Sequence, residues 1–502
     1  MNTGTNELNY ATLEQRLREL GSLGHAQRML GWDEAVMMPV GGGERRGEVL
    51  ATIAGLVHRQ LTSSETGDLI AAAEQEKGLD EWQRANVREV ARARLHAAAL
   101  PPALVVDQSL QSTRCEQAWR IARGANDWRA IERLLAELVR ITRDVAAALG
   151  DACGLTPYDA LIEQYQPGLC QSQIDPIFAE LREYLPGFAE RVIAQRPSPR
   201  PIAGPFPRAR QEALARALMT KIGFDFDHGR LDTSHHPFCG GDGDDTRITT
   251  RYDEADFLSS MMAVLHETGH ALYEQGLPRT WRGLPVGSAA GMAVHESQSL
   301  LMEMQVCRGR EFLGFAAPTI RTELGGRADA PQWQADNLYL ASTQVARGLI
   351  RVDADEVTYP LHVILRYELE QALISGDLAV ADIPTAWNEK MQHYLGRSTL
   401  GDDRDGCMQD VHWYAGLFGY FPTYTIGAVM AAQLFAAIRE RSPEGISGIA
   451  RGDFTPLLNW LRSNVHGRGR LVPMNELLID ATGSALNTRA FKAHLQARYA
   501  AG

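Results

Sequence analysis

The sequence contains few cysteines, and none of them stands close to another. Among its 502 residues there are six, namely Cys115, Cys153, Cys170, Cys239, Cys307 and Cys407. They form no C-x-x-C pair and no dense framework, so the pattern indicates neither a disulfide scaffold nor a thiolate zinc site. We expect reduced thiols.

Two other absences limit the partners that the chain is expected to have. Lys and Arg number 50 against 62 Asp and Glu, for a net charge of −12, and they form no concentrated basic block. This balance argues against nucleic acid as a partner. No apolar run approaches the length of a membrane span, and the first residues lack a basic segment followed by an apolar one. We therefore expect a cytoplasmic protein with no membrane partner.

The hydrophobic residues recur at helical spacing from about Leu8 to Arg196. The clearest stripe steps mostly by three or four and comprises Trp128, Ile131, Leu134, Leu135, Leu138, Ile141, Val145 and Leu149. This spacing predicts a long amphipathic helix, with Gly150 as a plausible residue just past its end. The first 195 residues are predicted to form a helical array.

After residue 195 the helical spacing of hydrophobic residues stops. Residues 196–207 hold five prolines, which exclude helix and indicate a linker or extended strap. Residues 224–245 are loop-like, and 245–252 are rich in β-branched residues, which predicts one short strand whose edge an extended peptide can join. Asp253 or Asp256 is expected to cap the next helix, which runs to about Gly276, and a second helix is predicted over 289–312.

These patterns predict a mainly α fold with a small β-sheet near the active site and a cleft. We expect a single domain over 1–502, with a helical N-terminal part over about 1–195, the Pro-rich strap over 196–207 and a catalytic part over about 208–502.

One motif points to chemistry. His266, Glu267 and His270 form H-E-x-x-H within an apolar, helical segment. Two imidazoles four residues apart lie on one face of a helix, where both can bind one zinc ion while Glu267 lies beside it. Gly269 costs about 1 kcal/mol in a helix interior relative to Ala, which indicates that another backbone approaches closely there.

Zinc in a catalytic site needs a third protein ligand. Metzincins supply a histidine at the position that Gly276 occupies, so that class is excluded. Glu296 follows His270 by 26 residues, a spacing that allows a turn and a second antiparallel helix. We predict His266, His270 and Glu296 as zinc ligands and Glu267 as the general base.

Six motifs in order resemble the Taq-type metallocarboxypeptidases, over most of the chain. They are HPF at 236–238, DxRxT at 245–249, HExxH at 266–270, HESQ at 295–298, IRxxAD at 350–355 and GxxQDxHW at 406–413. The resemblance implies a gluzincin-like helical saddle with a deep central groove, a homodimer, and broad-specificity release of single residues from peptides with a free C-terminus. It also implies the same ligand set and base, with one zinc per chain and cobalt as a possible replacement.

An exopeptidase of this kind needs a cation for the terminal carboxylate of its substrate. A guanidinium binds a carboxylate through two hydrogen bonds. Arg351 is our first choice and Arg247 our second, although each can instead be a structural ion pair, Arg351 for example with Asp353 or Asp410.

The oxyanion donor is expected beyond the last motif. His412, Tyr420 and Tyr424 are the candidates, as His and Tyr are in related gluzincins. On the resemblance alone, His236 is expected to shape the end of the groove that enforces single-residue trimming.

Two other functions stay open on the sequence alone. An endo-acting oligopeptidase or dipeptidyl carboxypeptidase shares the zinc helix and differs in where the groove is blocked. The second alternative is a non-catalytic helical binding protein with a structural metal, although such a site has no need of Glu267.

Overall fold

Helices account for most of the chain in the computed structural model, which describes residues 9–500. Within those residues the α-helices are α1 (Tyr10–Val36), α2 (Gly43–Thr62), α3 (Ser64–Gln75), α4 (Glu81–Ala99), α5 (Pro102–Ala125), α6 (Trp128–Cys153), α7 (Pro157–Glu163), α8 (Gln171–Gln195), α9 (Arg208–Ile222), α10 (Phe257–Gly276), α11 (Met292–Leu300), α12 (Arg310–Leu324), α13 (Ala335–Ser342), α14 (Tyr359–Ser375), α15 (Ile383–Leu395), α16 (Pro422–Arg441), α17 (Pro443–Arg451), α18 (Thr455–Asn464), α19 (Met474–Thr482) and α20 (Arg489–Leu495). The strands are β1 (Gly229–Thr233), β2 (Phe238–Asp242) and β3 (Asp245–Thr250). The fold is mainly α, as the sequence predicts.

The long stripe of the N-terminal half forms α6, but the predicted end of that helix is wrong. The helix continues past Gly150 to Cys153 and is capped by Gly154, which adopts φ +68°. Gly150 instead lies where a Cβ atom would approach the carbonyl oxygen of Leu155 to 2.8 Å. The glycine therefore allows a following loop to pack against the helix.

The strap over 196–207 is free of helix, as its prolines predict, and the sheet after it is larger than predicted. β3 is the central strand, parallel to β1 and antiparallel to β2. The loop predicted over 224–245 thus contains two strands, and both edges of β3 are occupied. The prediction that a peptide can join the edge of this strand is wrong, because only β1 and β2 lie at the edges of the sheet.

The sheet leads directly into α10. The side chain of Asp256 accepts hydrogen bonds from the backbone N–H groups of Leu258 and Ser259, so Asp256 is the N-cap. The second predicted helix, over 289–312, is wrong as a single element. It divides into α11, a π-helical turn over Leu301–Cys307, and α12, which starts after Gly309.

The largest group of buried apolar residues extends from Cys115 to Tyr499 and so includes side chains from both sides of the strap. α16 lies within it, with fifteen of its twenty residues buried, and packs against α11. No helix in the described part of the chain is long and apolar enough to cross a membrane.

Candidate metal site and catalytic centre

α10 and α11 approach each other closely because α10 has a glycine at the crossing. A Cβ atom on Gly269 would lie 2.5 Å from the carbonyl oxygen of Gln298 and 2.7 Å from the Cα of Ser299. Gly269 is therefore required for backbone contact with α11, as its position in the helix predicts. His266 and His270 lie on the adjoining face of α10, three residues before and one residue after Gly269.

Three potential ligand side chains converge at the crossing. One nitrogen from each of His266 and His270 and one oxygen of Glu296 lie within 4.8 Å of one another. The Nε2 atoms of His266 and His270 lie 3.9 and 3.5 Å from Oε2 of Glu296. Ligands about 2 Å from a tetrahedral ion are about 3.3 Å apart, so small side-chain movements complete the geometry.

The other nitrogen of each imidazole is held by a hydrogen-bond acceptor. Nδ1 of His266 donates to the Glu303 carboxylate at 2.9 Å, and Nδ1 of His270 donates to the backbone carbonyl of His295 at 3.0 Å. Glu303 is itself held by Arg308, whose Nη2 lies 2.7 Å from it. Because each Nδ1 is engaged with an acceptor, Nε2 is in both rings the nitrogen that faces Glu296 and is placed to bind a metal.

His295 supports His270 in a second way. Its ring stacks on that of His270, with centroids 4.4 Å apart, and its Nε2 lies 2.9 Å from Glu274. The histidine of HESQ is therefore a neighbour of the ligands and does not point to the metal position.

The charges around the three donors favour a cation. Burial lowers the pKa of His270 to about 3. Burial acts in the same direction on His266, yet the carboxylates of Glu303, Glu296 and Glu267 raise the pKa of His266 to about 10. A divalent ion supplies the positive charge that these carboxylates stabilise, so the residues present fit a metal.

Glu267 lies beside the ligands without sharing their hydrogen bonds. Its Oε2 is buried and has no hydrogen-bond partner. Burial raises the pKa of this carboxyl to about 7, with Glu296 contributing in the same direction and His266 opposing it. A free, desolvated carboxylate with such a pKa suits proton transfer near neutral pH.

The GxxQDxHW segment and α16 bring the predicted oxyanion donors together. Nε2 of His412 lies 2.9 Å from the hydroxyl of Tyr424, whose ring centroid is 5.3 Å from that of Tyr420. Burial lowers the pKa of His412 to about 3, which makes its imidazole neutral. α16 contacts the candidate metal ligand Glu296 through Gly427, where a Cβ atom would lie 2.8 Å from the side chain of Glu296.

Arg351 lies next to this group and is already paired. Its Nη2 donates to Asp410 at 2.9 Å, and its guanidinium lies 4.7 Å from the ring centroid of Tyr424. Asp410 also accepts from Nε of Arg366 at 2.7 Å. Burial alone would raise the pKa of Asp410, but the two arginines hold it well below its usual range. One carboxylate is thus shared by two guanidinium groups.

Arg247 and His236 lie elsewhere, on the sheet. Arg247 is in β3, where its Nη2 donates to Asp245 at 2.7 Å and its guanidinium lies 4.4 Å from the Trp32 ring. His236 precedes β2 and stacks edge-on against His235. Burial lowers its pKa, and the charges of nearby arginines, including Arg251, act in the same direction.

A family model described as carboxypeptidase Taq (M32) metallopeptidase matches residues 12–499. The chain belongs to this family. Among relatives of the Taq-type family, thermostable carboxypeptidase 1 of Thermus thermophilus is 38% identical over 511 aligned residues, which cover 99% of each chain. Carboxypeptidase 1 of Bacillus subtilis is 33% identical over 487 residues, which cover 96% of each.

The solved structures agree with this assignment. The Trypanosoma cruzi metallocarboxypeptidase 1 structure matches with a TM-score of 0.94 at 40% identity, covering 98% of this chain and 99% of that one. The family resemblance of the six motifs is thereby confirmed. As a Taq-type metallocarboxypeptidase, the chain is a peptide hydrolase that depends on a metal and acts on peptides.

Two residues that contact the predicted site residues, Glu303 and Arg366, are not predicted from the sequence motifs. Glu303 follows Glu296 by seven residues, a spacing that repeats a helix face and is a signal that was available. Arg366 is a fully buried arginine within the apolar helix α14, a position where such a residue requires a partner. Nothing in the sequence identifies that partner as Asp410.

Proposed function

We propose that this chain is a zinc-dependent carboxypeptidase that releases single C-terminal amino acids from peptides with broad specificity. The observation that carries the proposal is the convergence of two Nε2 atoms and one carboxylate oxygen beside the unpartnered Oε2 of Glu267. A structural metal site has no need of this additional, free carboxylate.

The proposed metal ligands are His266, His270 and Glu296. Two imidazoles and one carboxylate suit zinc, and cobalt accepts the same donors. Zinc bound there would polarise the scissile carbonyl and make a water molecule more acidic. Three protein donors leave a position open for substrate.

Glu267 is the proposed general base. Its Oε2 accepts a proton from the attacking water, and the same oxygen then passes that proton to the nitrogen of the leaving amino acid. Because no other side chain competes for Oε2, the carboxylate can change protonation state without losing a structural hydrogen bond.

Tyr424 is the proposed donor to the oxyanion that develops on the scissile carbonyl. Burial raises the pKa of its phenol, Arg351 lowers it, and Glu296 and Glu267 raise it, so the hydroxyl lies among all three groups and stays protonated. A neutral His412 that donates from Nε2 to the Tyr424 oxygen leaves the phenolic proton for the substrate. Tyr420 packs against Tyr424 and is the second candidate.

Arg351 remains the first choice for the terminal carboxylate. Its pairing with Asp410 supports the alternative of a structural ion pair, but Asp410 carries one charge and two arginines share it. Within this group of three residues the positive charges exceed the negative one, and Arg351 is the member beside Tyr424. Arg247 is also paired, with Asp245, and its stacking on Trp32 ties it to the sheet, so it is the second choice.

The remaining features are proposed on family membership and packing. His236, next to β2, is proposed to close the end of the groove that limits the enzyme to single residues. A single domain is supported by the apolar core that joins both sides of the strap. The homodimer and the cytoplasmic location stay predictions.

One experiment tests the proposal. Purified protein is assayed for bound metal and incubated with a peptide that has a free C-terminus and with its C-terminally amidated form, and the products are identified by mass spectrometry. We expect one zinc per chain and a ladder that loses one residue at a time from the free peptide only. Internal cuts or released dipeptides would instead indicate an oligopeptidase or dipeptidyl carboxypeptidase, and absence of hydrolysis with metal bound would indicate a binding protein.

A further inference from the structure

The helix that carries Glu296 begins without a cap of its own. α11 starts after Gly291, which adopts φ +122° and has no side chain to accept a hydrogen bond. The first N–H groups of a helix have no partners within the helix, and leaving them unsatisfied in a buried place is costly. Ala293 and Val294, in the first turn of α11, are both fully buried.

Gln166, from the loop between α7 and α8, supplies the missing acceptor. Its Oε1 accepts hydrogen bonds from the backbone N–H groups of Ala293 at 3.0 Å and Val294 at 3.3 Å. Its Nε2 donates to the carbonyl of Ala290 at 3.0 Å. Gln166 is 0% exposed, so bulk water does not reach these hydrogen bonds.

The backbone on either side of this side chain completes the contact. The N–H of Met292 donates to the carbonyl of Tyr165 at 2.8 Å. A Cβ atom on Gly291 would collide with the Gln166 amide. Glycine at position 291 therefore makes room for the amide, and the two residues form one cap, which we call the Gln166 clamp (Tyr165, Gln166 and Gly291).

The clamp lies within one turn of the proposed ligand. α11 has nine residues, and Glu296 is the fifth. Gly269 and Gly427 set how closely α10 and α16 approach its sides. The first N–H groups of a helix point along its axis, so the hydrogen bonds of the clamp hold α11 in that direction.

We propose that Gln166 is a positioning residue for the metal site. By holding the start of α11, Gln166 keeps Glu296 level with His266 and His270. The inference rests on the proposed zinc site. It gives the loop after α7 a role in metal affinity, although that loop contains no ligand.

The test measures the zinc dissociation constant by competition with a chromogenic chelator. Q166M keeps the side-chain volume and removes the three hydrogen bonds of the Gln166 side chain. Loss of a residue that orients a ligand typically weakens metal binding by 10- to 100-fold, so we expect the dissociation constant to rise about tenfold. Q166E keeps an acceptor for the two N–H groups and, as the neutral acid that burial favours, a donor for the Ala290 carbonyl, so we expect it to stay within about twofold of the native value.

Q433M is the matched control. Gln433 is also buried, and its Nε2 donates to residues 482–485, at the C-terminal end of α19 and in the loop after it. We expect Q433M to lower the unfolding temperature of the metal-free protein, as Q166M does, and to leave the zinc dissociation constant unchanged.

The outcomes separate the two proposals. A native protein that binds no zinc would overturn both. A native protein that binds zinc, with Q166M binding it equally well, would overturn the clamp alone. If Q166M does not fold, Q166E decides: a rise of more than tenfold in its zinc dissociation constant would show that the acceptor at the helix start is not what holds Glu296.

Discussion

The metal cluster, by which we mean His266, Glu267, His270 and Glu296, differs from the arginine cluster of Arg351, Arg366 and Asp410 in whether the atoms proposed to bind a ligand are already hydrogen-bonded. At the metal cluster the hydrogen bonds are made on the far side of each ring, by Glu303 and a backbone carbonyl, so the Nε2 lone pairs are left for a ligand. At the arginine cluster the guanidinium of Arg351 already binds Asp410. The metal cluster has ligand atoms that make no other hydrogen bond, whereas the arginine cluster has two guanidinium groups for one carboxylate. Substrate affinity in the second should therefore respond to changes in net charge.

The strongest test of the metal cluster is Glu267→Gln. The amide cannot take a proton, and its shape fills the same space, so we expect kcat to fall about 1,000-fold with the metal retained. Steady-state kinetics and metal analysis of the same sample measure both quantities. Undiminished activity would remove Glu267 from the mechanism.

Arg351→Ala tests the arginine cluster directly. If Arg351 binds the terminal carboxylate, the KM for a peptide with a free C-terminus should rise about 100-fold, since a charged hydrogen-bonded pair is lost. Any residual turnover of the amidated peptide should change little. Arg247→Ala is the comparison variant, and the larger effect on KM identifies the anchor. Equal losses on both peptides would assign the arginine a structural role.

Glu303→Gln tests whether the hydrogen bond from Nδ1 of His266 to the Glu303 carboxylate strengthens metal binding. The carboxamide still accepts from Nδ1 of His266 but no longer makes the imidazole more electron-rich, so we expect about tenfold weaker zinc binding. Chelator competition provides the measurement. Nδ1 of His270 instead donates to the backbone carbonyl of His295, which a side-chain substitution cannot remove. This test is therefore possible only for His266. An unchanged dissociation constant would contradict the role of Glu303.

Arg366→Met tests the surplus charge itself. Asp410 would then neutralise Arg351 alone, and we expect about a fivefold rise in the KM of free-carboxylate peptides, on the order of 1 kcal/mol. Arg366→Lys keeps the charge and should restore a KM close to native. If both variants raise KM equally, packing and not charge is the cause.

The two regions also differ in how far the sequence predicts them. His266, Glu267 and His270 share one helix, so their spacing alone fixes their relative geometry, and Glu296 needs only one further helix. Arg351 and Asp410 are 59 residues apart in sequence, and the motifs that contain them do not state that they meet. An arginine has several possible carboxylate partners, and the tertiary fold selects among them.

The fold shows the same limit. Periodicity predicts α6, and a capping aspartate predicts the start of α10, because local side chains determine both. It does not predict β1 and β2, since their short, glycine- and aspartate-rich segments become strands only by pairing with β3. The π-helical turn after α11 is likewise set by packing, and the continuous apolar pattern of 289–312 conceals it.

The two middle positions of H-E-x-x-H should differ in the residues that they tolerate, because Gly269 contacts the backbone of α11. In a selection from a library randomised at residues 268 and 269, glycine should dominate at 269, because any side chain there meets the backbone of α11. Position 268 should accept other small residues, since Thr268 is buried but its hydroxyl bonds only to its own helix. A consensus drawn from the survivors would therefore read H-E-x-G-H.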